Sequence, residues 1–409
     1  MIDSHYLFKS LLDRDVVPPD ENLMRTAIRG KTIMVSGAGG SVGMELCRQL
    51  QFWKPATLIL FEHSEYALHT IENILLARNG AKAGVSCTTI VPVLGSIQDA
   101  DLVYRILATH QVDTIYHAAA YKHVPMLEEN VISGVRNNVF GTLTLARAAE
   151  EHGVGRFILI STDKAVRPAS VMGATKRVAE QVLQALHHEG ARTCFSMVRF
   201  GNVLGSSGSV LPRFHAQILQ GGPVTVTHPE ASRFFMTASE AAQLVIQSGA
   251  LARGGEVHVL DMHRPLRIAD MARKLIALMG FEVCNTCAAG ACDCDRGIRI
   301  EYTGLRPGEK LSEELATELA IRGTEHPGIL CADESFHTWS VLSVLLQHLE
   351  EGCNRMDKRR VRQILMEAAS VNPAGTRPKP VKPVLVENRQ GAVRQEKSPA
   401  VDLMTAANQ

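Results

Sequence analysis

The sequence predicts an α/β fold: a doubly wound parallel sheet covered by helices, with a small capping region towards its C-terminal end. Three observations carry this. Short apolar runs recur from Lys31 onward and alternate with helix-like stretches, as a βαβ succession requires. A glycine-rich turn, Gly37-x-x-Gly40-x-x-Gly43, stands directly between the first run and the first such stretch. Runs that are apolar throughout suit parallel strands buried on both faces.

With 409 residues and 45% hydrophobic content, the chain can bury one large core or two smaller ones. The formal net charge of +1 gives no general attraction to nucleic acid. Nine cysteines occur without an even framework or a secretory signal, so a reducing cytoplasm is the expected compartment. No apolar run approaches the roughly 18–20 residues that cross a bilayer, so a soluble chain is expected.

Residues 1–30 are polar and broken by Pro18-Pro19, a leader into the fold rather than part of its core. Strands are expected at 32–35, 57–61, 90–94, 114–117 and 157–160. Helices are expected to open at 44–51 and to fill 99–110, 135–152 and 174–188. Residues 31–200 thus form a dinucleotide-binding core. From 201 to 333 the pattern turns to loops and mixed short elements, a substrate-binding region with some elements returning to the core. Residues 334–371 read as one or two helices: Trp339, Leu342, Leu345, Leu346 and Leu349 recur at helical steps. The tail, 372–409, repeats Pro and Lys and is expected to be disordered.

The glycine turn is the first candidate site. Such a turn needs positive φ, close backbone approach to a pyrophosphate and tight helix–strand packing, and glycine permits all three. The N-terminus of the helix that follows then offers free N–H groups to the phosphates, with Ser41 and Val42 as further cofactor-binding candidates. Glu62 ends the second strand about twenty residues on, where a carboxylate binds the adenosine ribose. A carboxylate repels a 2′-phosphate, so NAD is favoured over NADP. An exposed strand-end acid is the plainer alternative.

The stretch His117-Ala118-Ala119-Ala120-Tyr121-Lys122-His123-Val124-Pro125-Met126-Leu127-Glu128 resembles the signature of CapD-type polysaccharide-biosynthesis dehydratases. These are extended short-chain dehydrogenases, of extended Rossmann fold, that act on UDP-N-acetylglucosamine. Three further stretches match: Ser161-Thr162-Asp163-Lys164-Ala165-Val166-Arg167-Pro168, Val198-Arg199-Phe200-Gly201-Asn202-Val203-Leu204-Gly205 and Gly304-Leu305-Arg306-Pro307-Gly308-Glu309-Lys310. The similarity runs from about Leu11 to Val371. Where many relatives read Tyr-x-x-x-Lys, this chain has Met172 and Lys176, which resembles the long, C5-retaining branch. Long members carry an N-terminal membrane region. These 409 residues show none, and 11–20 resembles the segment just after it, so a soluble or truncated member is expected, cytoplasmic and able to work at the inner face of the membrane.

The resemblance implies a UDP-N-acetylglucosamine 4,6-dehydratase using NAD. Hydride leaves sugar carbon 4, a base takes the proton from carbon 5, an acid protonates the departing carbon-6 hydroxyl, and the hydride returns to carbon 6. Lys164 is the candidate base and Asp163 the candidate acid; each needs a shifted pKa. Thr162 is placed for the carbon-4 oxygen and Lys176 for the nicotinamide ribose. Met172 cannot take the carbon-4 hydroxyl proton, so Asp163 acting twice, or a water, must replace the tyrosine. Ordinary core packing of Met172 in an inactive protein is the bland alternative.

In the same frame Ala118 and Ala119 line the cofactor, and Ser96 and Ile97 stand at the adenine edge, with Ser96 where relatives have Asp. Asn138, counted among the substrate-binding residues, either braces the site near the nicotinamide or caps a helix. Lys122 either reaches the sugar or is a solvated loop lysine. Asn202, Arg233 and Arg306 are candidates for the UDP diphosphate, with Arg199 supporting them. A homo-oligomer is expected. Two other functions remain open: a UDP-sugar 4-epimerase, which would leave Asp163 and Lys164 without a purpose, and a non-catalytic nucleotide-sugar-binding module. Cys284, Cys287, Cys292 and Cys294 form either a zinc site or an ordinary Cys-rich loop, and the ordinary loop is preferred, so no metal is expected. The basic cluster Lys358–Arg362 reads as a solvated helix face.

Overall fold

The computed structural model describes residues 12, 17–80, 88–284, 297–316 and 321–371. Among these, nine strands form the central sheet: β1 (Thr32–Ser36), β2 (Thr57–Glu62), β3 (Thr89–Leu94), β4 (Thr114–His117), β5 (Arg156–Ile160), β6 (Cys194–Arg199), β7 (Glu256–Leu260), β8 (Ile321–Gly323) and β9 (Ile329–Ala332). Their spatial order is β8-β9-β7-β6-β5-β4-β1-β2-β3. Strands β1 to β7 run parallel, while β9 pairs antiparallel with β7 and β8 antiparallel with β9. The chain reverses its direction of travel across the sheet between β1 and β4. That switch point opens a crevice at the carboxyl ends of the strands, where ligands of such folds bind.

The helices are α1 (Glu21–Ile28), α2 (Ser41–Phe52), α3 (Glu65–Gly80), α4 (Ala100–His110), α5 (Val124–Glu129), α6 (Val131–Val135), α7 (Gly141–Glu151), α8 (Val171–His188), α9 (Val210–Leu219), α10 (Ala238–Leu251), α11 (Ile268–Leu278), α12 (Trp339–Asn354) and α13 (Lys358–Ala369). A π-helical turn, Arg136–Phe140, joins α6 to α7. Ile33, Met34 and Val35 of β1 are fully buried, as a strand covered on both faces must be. Helix α8 is buried from Val171 to Leu186 because α12 and α13 pack over it. Leu342, Leu346 and Leu349 of α12 are the buried face, with Trp339 and Leu345 at its margin.

Residues 17–30 depart from the leader expected there. Asp20 caps α1 by accepting from the N–H groups of Asn22 and Leu23 at 2.9 and 3.1 Å. Met24 and Ile28, four apart, enter the core, and Gln247 of α10 accepts from Asp20 N at 2.7 Å. Polar composition concealed a short amphipathic helix whose two buried residues lie on one side.

The 201–333 segment does two things. Helices α9 and α11 pack with strands Val224–Val226, Glu282–Cys284 and Gly297–Tyr302 around Phe214, Leu275 and Ile298. Strands β7, β8 and β9 instead extend the central sheet. Cys287, Cys292, Cys294 and the 372–409 tail lie outside the described residues. Among the described residues, no helix is long and apolar enough to cross a membrane.

Candidate active site

The first half of the site is the turn from β1 to α2. Gly37 has φ +72°, and a Cβ there would sit 2.7 Å from Ala119 N and 2.8 Å from the Ala118 carbonyl carbon. A Cβ on Gly43 would come within 2.0 Å of the Gly37 carbonyl oxygen. Gly40 is the N-cap of α2, and no side chain satisfies the helix's first N–H groups, those of Ser41 and Val42 among them. The backbone thus leaves donors and a positive dipole end facing the crevice. Gly39, not singled out by the spacing, is also required: its Cβ would lie 2.5 Å from that of Ala67.

Glu62 is buried and accepts from Gly39 N at 3.0 Å through Oε2, and from His63 N and Ser64 N through Oε1. It therefore braces the glycine turn, and Oε2, which meets one donor where Oε1 meets two, keeps a lone pair for a ribose hydroxyl. The alternative of an exposed strand-end acid fails on its burial. Ser96 Oγ accepts from Gln98 N at 3.2 Å, which commits it to its own turn. Ile97 is buried beneath Gly141, whose Cβ would meet it at 2.7 Å. The donor set fits a dinucleotide.

Behind the turn runs a buried polar chain. Thr142 Oγ donates to Asn138 O at 2.7 Å, so it accepts from His117 Nε2 at 2.9 Å. His117 Nδ1 is then left to accept from Ser36 Oγ at 2.6 Å. Burial, with the charge of Lys176 added, pulls the His117 pKa down to about 3, so the ring is neutral. Register makes this possible, since Ser36 pairs directly with His117 across β1 and β4.

The second half of the site is the turn after β5. Thr162 Oγ donates to Asp163 Oδ1 at 2.8 Å, and Lys164 Nζ donates to the same oxygen at 2.8 Å. Asp163 is fully buried, and its Oδ2 has no hydrogen-bond partner. Lys164 Nζ also donates to Asn202 Oδ1 at 3.2 Å and lies 3.9 Å from Glu313 Oε1. Lys164 keeps 20% side-chain exposure, so this paired ammonium still reaches the crevice.

A buried ion cluster holds this turn. Glu180 of α8 accepts from Ser161 Oγ at 2.6 Å, from Arg199 Nε at 2.8 Å and from Arg177 at 3.0 Å. Burial pushes the Glu180 carboxyl up, but Arg199, Arg177 and Ser161 together outweigh it and bring its pKa down to about 2. Arg199 also donates to Glu334 at 2.6 Å. One turn before Glu180, Lys176 is buried, and the loss of hydration lowers its pKa to about 8 against the opposing pull of Glu180. Met172, at the start of α8, is 5% exposed and packs in the core.

The residues expected at the substrate divide. Asn138 is buried with its amide fully used: Nδ2 donates to Tyr121 O and Thr175 Oγ, and Oδ1 accepts from Tyr121 N and Asn137 Nδ2. It braces the 121 loop against α8, and the substrate contact expected of it has no donor or acceptor left. Arg233 is likewise spent. It donates to Ser232 O, Leu311 O, Lys310 O and Glu309, and so fastens the 309–313 segment instead of facing a diphosphate. Asn202 turns its amide oxygen to Lys164. Lys122 and Arg306 remain exposed. Arg213 of α9 donates to Thr225, and burial followed by the charge of Arg306 lowers its pKa.

Residues 33–334 match the family described as "Polysaccharide biosynthesis protein". The chain belongs to that family. It is 47% identical over 313 residues to the capsular polysaccharide biosynthesis protein CapD of Staphylococcus aureus, a match covering 76% of this chain and 49% of that relative. It therefore spans about half that relative's length. A UDP-N-acetylglucosamine 4,6-dehydratase (inverting) of Campylobacter jejuni is 28% identical over 69% of this chain and 77% of that one. A UDP-glucose 4-epimerase of Rickettsia canadensis is 30% identical over 73% and 81%. Among solved structures, Pen from Bacillus thuringiensis aligns with TM-score 0.65 and 30% identity, covering 75% of this chain and 88% of that one.

Family membership accounts for the matched stretches but not for three residues that sequence reasoning passed over. Glu180 carried a faint signal, a carboxylate one helical turn after Lys176. Arg213 and Glu313 carried none, because their neighbours in space come from remote segments.

Proposed function

We propose that the protein is an NAD-dependent 4,6-dehydratase that converts UDP-N-acetylglucosamine to UDP-2-acetamido-2,6-dideoxy-4-keto-hexose for bacterial surface polysaccharide synthesis. One observation carries the reading: a fully buried Asp163 paired with the partly exposed Lys164, 2.8 Å apart, at the carboxyl end of β5. An epimerase needs redox at carbon 4 only and gives such a pair no task. The C. jejuni relative's name supports the same substrate.

Bound NAD supplies the hydride acceptor for carbon 4 and the hydride donor for carbon 6. The free N–H groups of Ser41 and Val42 would hold its diphosphate, Glu62 its adenosine ribose and Lys176 its nicotinamide ribose. The protein's residues then move protons. Thr162 already donates to Asp163 Oδ1 and accepts from Lys164 N, so its remaining lone pair accepts from the carbon-4 hydroxyl. This links the carbon-4 proton to Asp163 without a tyrosine, which Met172 cannot imitate. Asp163 passes that proton to the carbon-6 hydroxyl as water departs. Lys164 takes the carbon-5 proton and returns it after hydride reaches carbon 6, so the protons balance over the cycle.

Incubation with NAD and UDP-N-acetylglucosamine in deuterium oxide, followed by NMR, tests the reading. A 4-keto-6-deoxy sugar with solvent label at carbon 5 is expected. UDP-N-acetylgalactosamine would make the protein an epimerase, and unchanged but bound substrate would make it a binding module. Lys164→Ala is expected to lower turnover by about 10²–10⁴-fold while leaving NAD binding intact. Substantial turnover in that variant removes Lys164 as the base.

A further inference from the structure

One buried carboxyl with no step assigned to it faces the reacting pair. The Glu313 side chain is 4% exposed, with Oε1 3.9 Å from Lys164 Nζ and 3.9 Å from Arg233 Nε. Its Oε2 is buried without a hydrogen-bond partner. Among the described residues, the only other buried carboxylate oxygen in that condition is Asp163 Oδ2. Both flank the same lysine. A partnerless buried oxygen is costly for a carboxylate and much less so for a carboxylic acid, so the pair marks a place where a proton comes and goes.

The dehydration proposed above states what that proton must do. Asp163 has to begin ionised, to take the carbon-4 proton, and Lys164 has to begin neutral, to take the carbon-5 proton. Their 2.8 Å contact favours the opposite for the lysine, since it stabilises the ammonium. The lysine's proton therefore needs a third group. With an ammonium and two carboxylates, the cluster of Lys164, Asp163 and Glu313 carries a net charge of minus one. Breaking one N–H bond at Lys164 and forming one O–H bond at Glu313 leaves an amine, the Asp163 carboxylate and a neutral acid. The net charge is unchanged, and no proton enters from or leaves to solvent.

We propose that Glu313 is a positioning residue that takes up the proton Lys164 must shed before carbon 5 is deprotonated. The proposal rests on the dehydratase reading. At 3.9 Å the transfer runs through one water or after a closure of about 1 Å. Burial holds the Glu313 pKa above its ordinary value; Lys164 opposes this, Asp163 adds to it, and Arg233 and Lys310 oppose it more weakly. Those four are the charged groups facing Glu313: Asp163 and Lys164 from the turn after β5, Arg233 from the Ser232–Arg233 strand, and Lys310 from its own segment. Asn202 completes the surroundings of the lysine.

The test compares the wild-type chain with Glu313→Gln and Glu313→Asp, each saturated with NAD and UDP-N-acetylglucosamine across a range of pH. Two partial reactions are followed: cofactor reduction by absorbance, and deuterium exchange at carbon 5 by NMR. Glu313→Gln is expected to reduce the cofactor but to exchange carbon 5 about 100-fold more slowly near neutrality. That deficit should shrink as the pH rises and solvent removes the Lys164 proton directly. Glu313→Asp, which keeps a carboxyl, should recover much of the exchange. A deficit equal in both reactions and unchanged by pH would mean a merely structural role and would overturn the proposal, as would normal exchange in Glu313→Gln. A wild-type chain that reduces cofactor yet never exchanges carbon 5 sinks the dehydratase reading itself, and the proposal with it.

Discussion

Around the Gly37–Gly43 turn almost every contact is made by backbone, and the side chains that matter are the missing ones. A Cβ at Gly37 or Gly43 would strike the 118–119 backbone or the turn's own carbonyl. Around Thr162–Lys164 the reverse holds. Side chains from α8, β6 and the 202, 233 and 309–313 segments converge on it, nearly all of them buried and charged or hydrogen-bonded. The first region has to leave room for a ligand it holds by N–H groups. The second has to keep ionisable groups in chosen protonation states, which takes other charges at fixed distances. A local spacing suffices for the one, and a network drawn from remote parts of the chain is needed for the other.

The comparison breaks most severely at Glu180. Glu180→Ala leaves Arg199 and Arg177 buried without their partner and is expected to cost about 3–5 kcal/mol in urea unfolding. The Glu180 pKa is depressed in the folded protein to about 2, so its stabilisation is full above the unfolded carboxylate range and fades as pH falls towards 2. Unfolding curves for wild type and Glu180→Gln should therefore converge on acidification; a gap that stays constant from neutral to acidic pH would contradict the ion cluster.

A smaller loss is expected at the backbone-built half. Gly43→Ala forces its methyl group to within 2.0 Å of the Gly37 carbonyl unless the turn moves, which is expected to cost about 1–3 kcal/mol. Because the displaced atoms are the cofactor's cradle, calorimetry should show NAD binding weakened while the Thr162–Lys164 turn keeps its fold. Undiminished binding would show that the turn yields without consequence. The smallest effect belongs to Ser161→Ala, which removes one bond to Glu180 and is expected to cost about 1 kcal/mol. Turnover should fall with NAD affinity unchanged; a fall in affinity instead would mean the two halves are not held separately.

Strands β1 to β5 and the glycine turn were legible because their signals are local, whereas β6 to β9 were not singled out. Four or five apolar residues in a row and three glycines at fixed spacing need no knowledge of the rest of the chain. Helix α1 was hidden for the same reason: a few apolar residues in a polar stretch identify a helix only once α10 is there to receive them. The candidate catalytic trio was legible through resemblance, but its surroundings were not. Arg233 and Asn138 are of the residue types that bind a diphosphate or a sugar, and nothing in their spacing shows that the protein already occupies the Asn138 amide and both terminal nitrogens of Arg233.

By itself the sequence determined the alternation of strand and helix, the phosphate-binding turn, the family and the substitution of Met172 for a tyrosine, all properties of residues near one another along the chain. Only the tertiary structure decided which groups surround Lys164. A proton's resting place depends on charge, burial and distance, and Glu313, remote from Lys164 in the chain, meets it only because the 309–313 segment is fastened by Arg233 beside the end of β5.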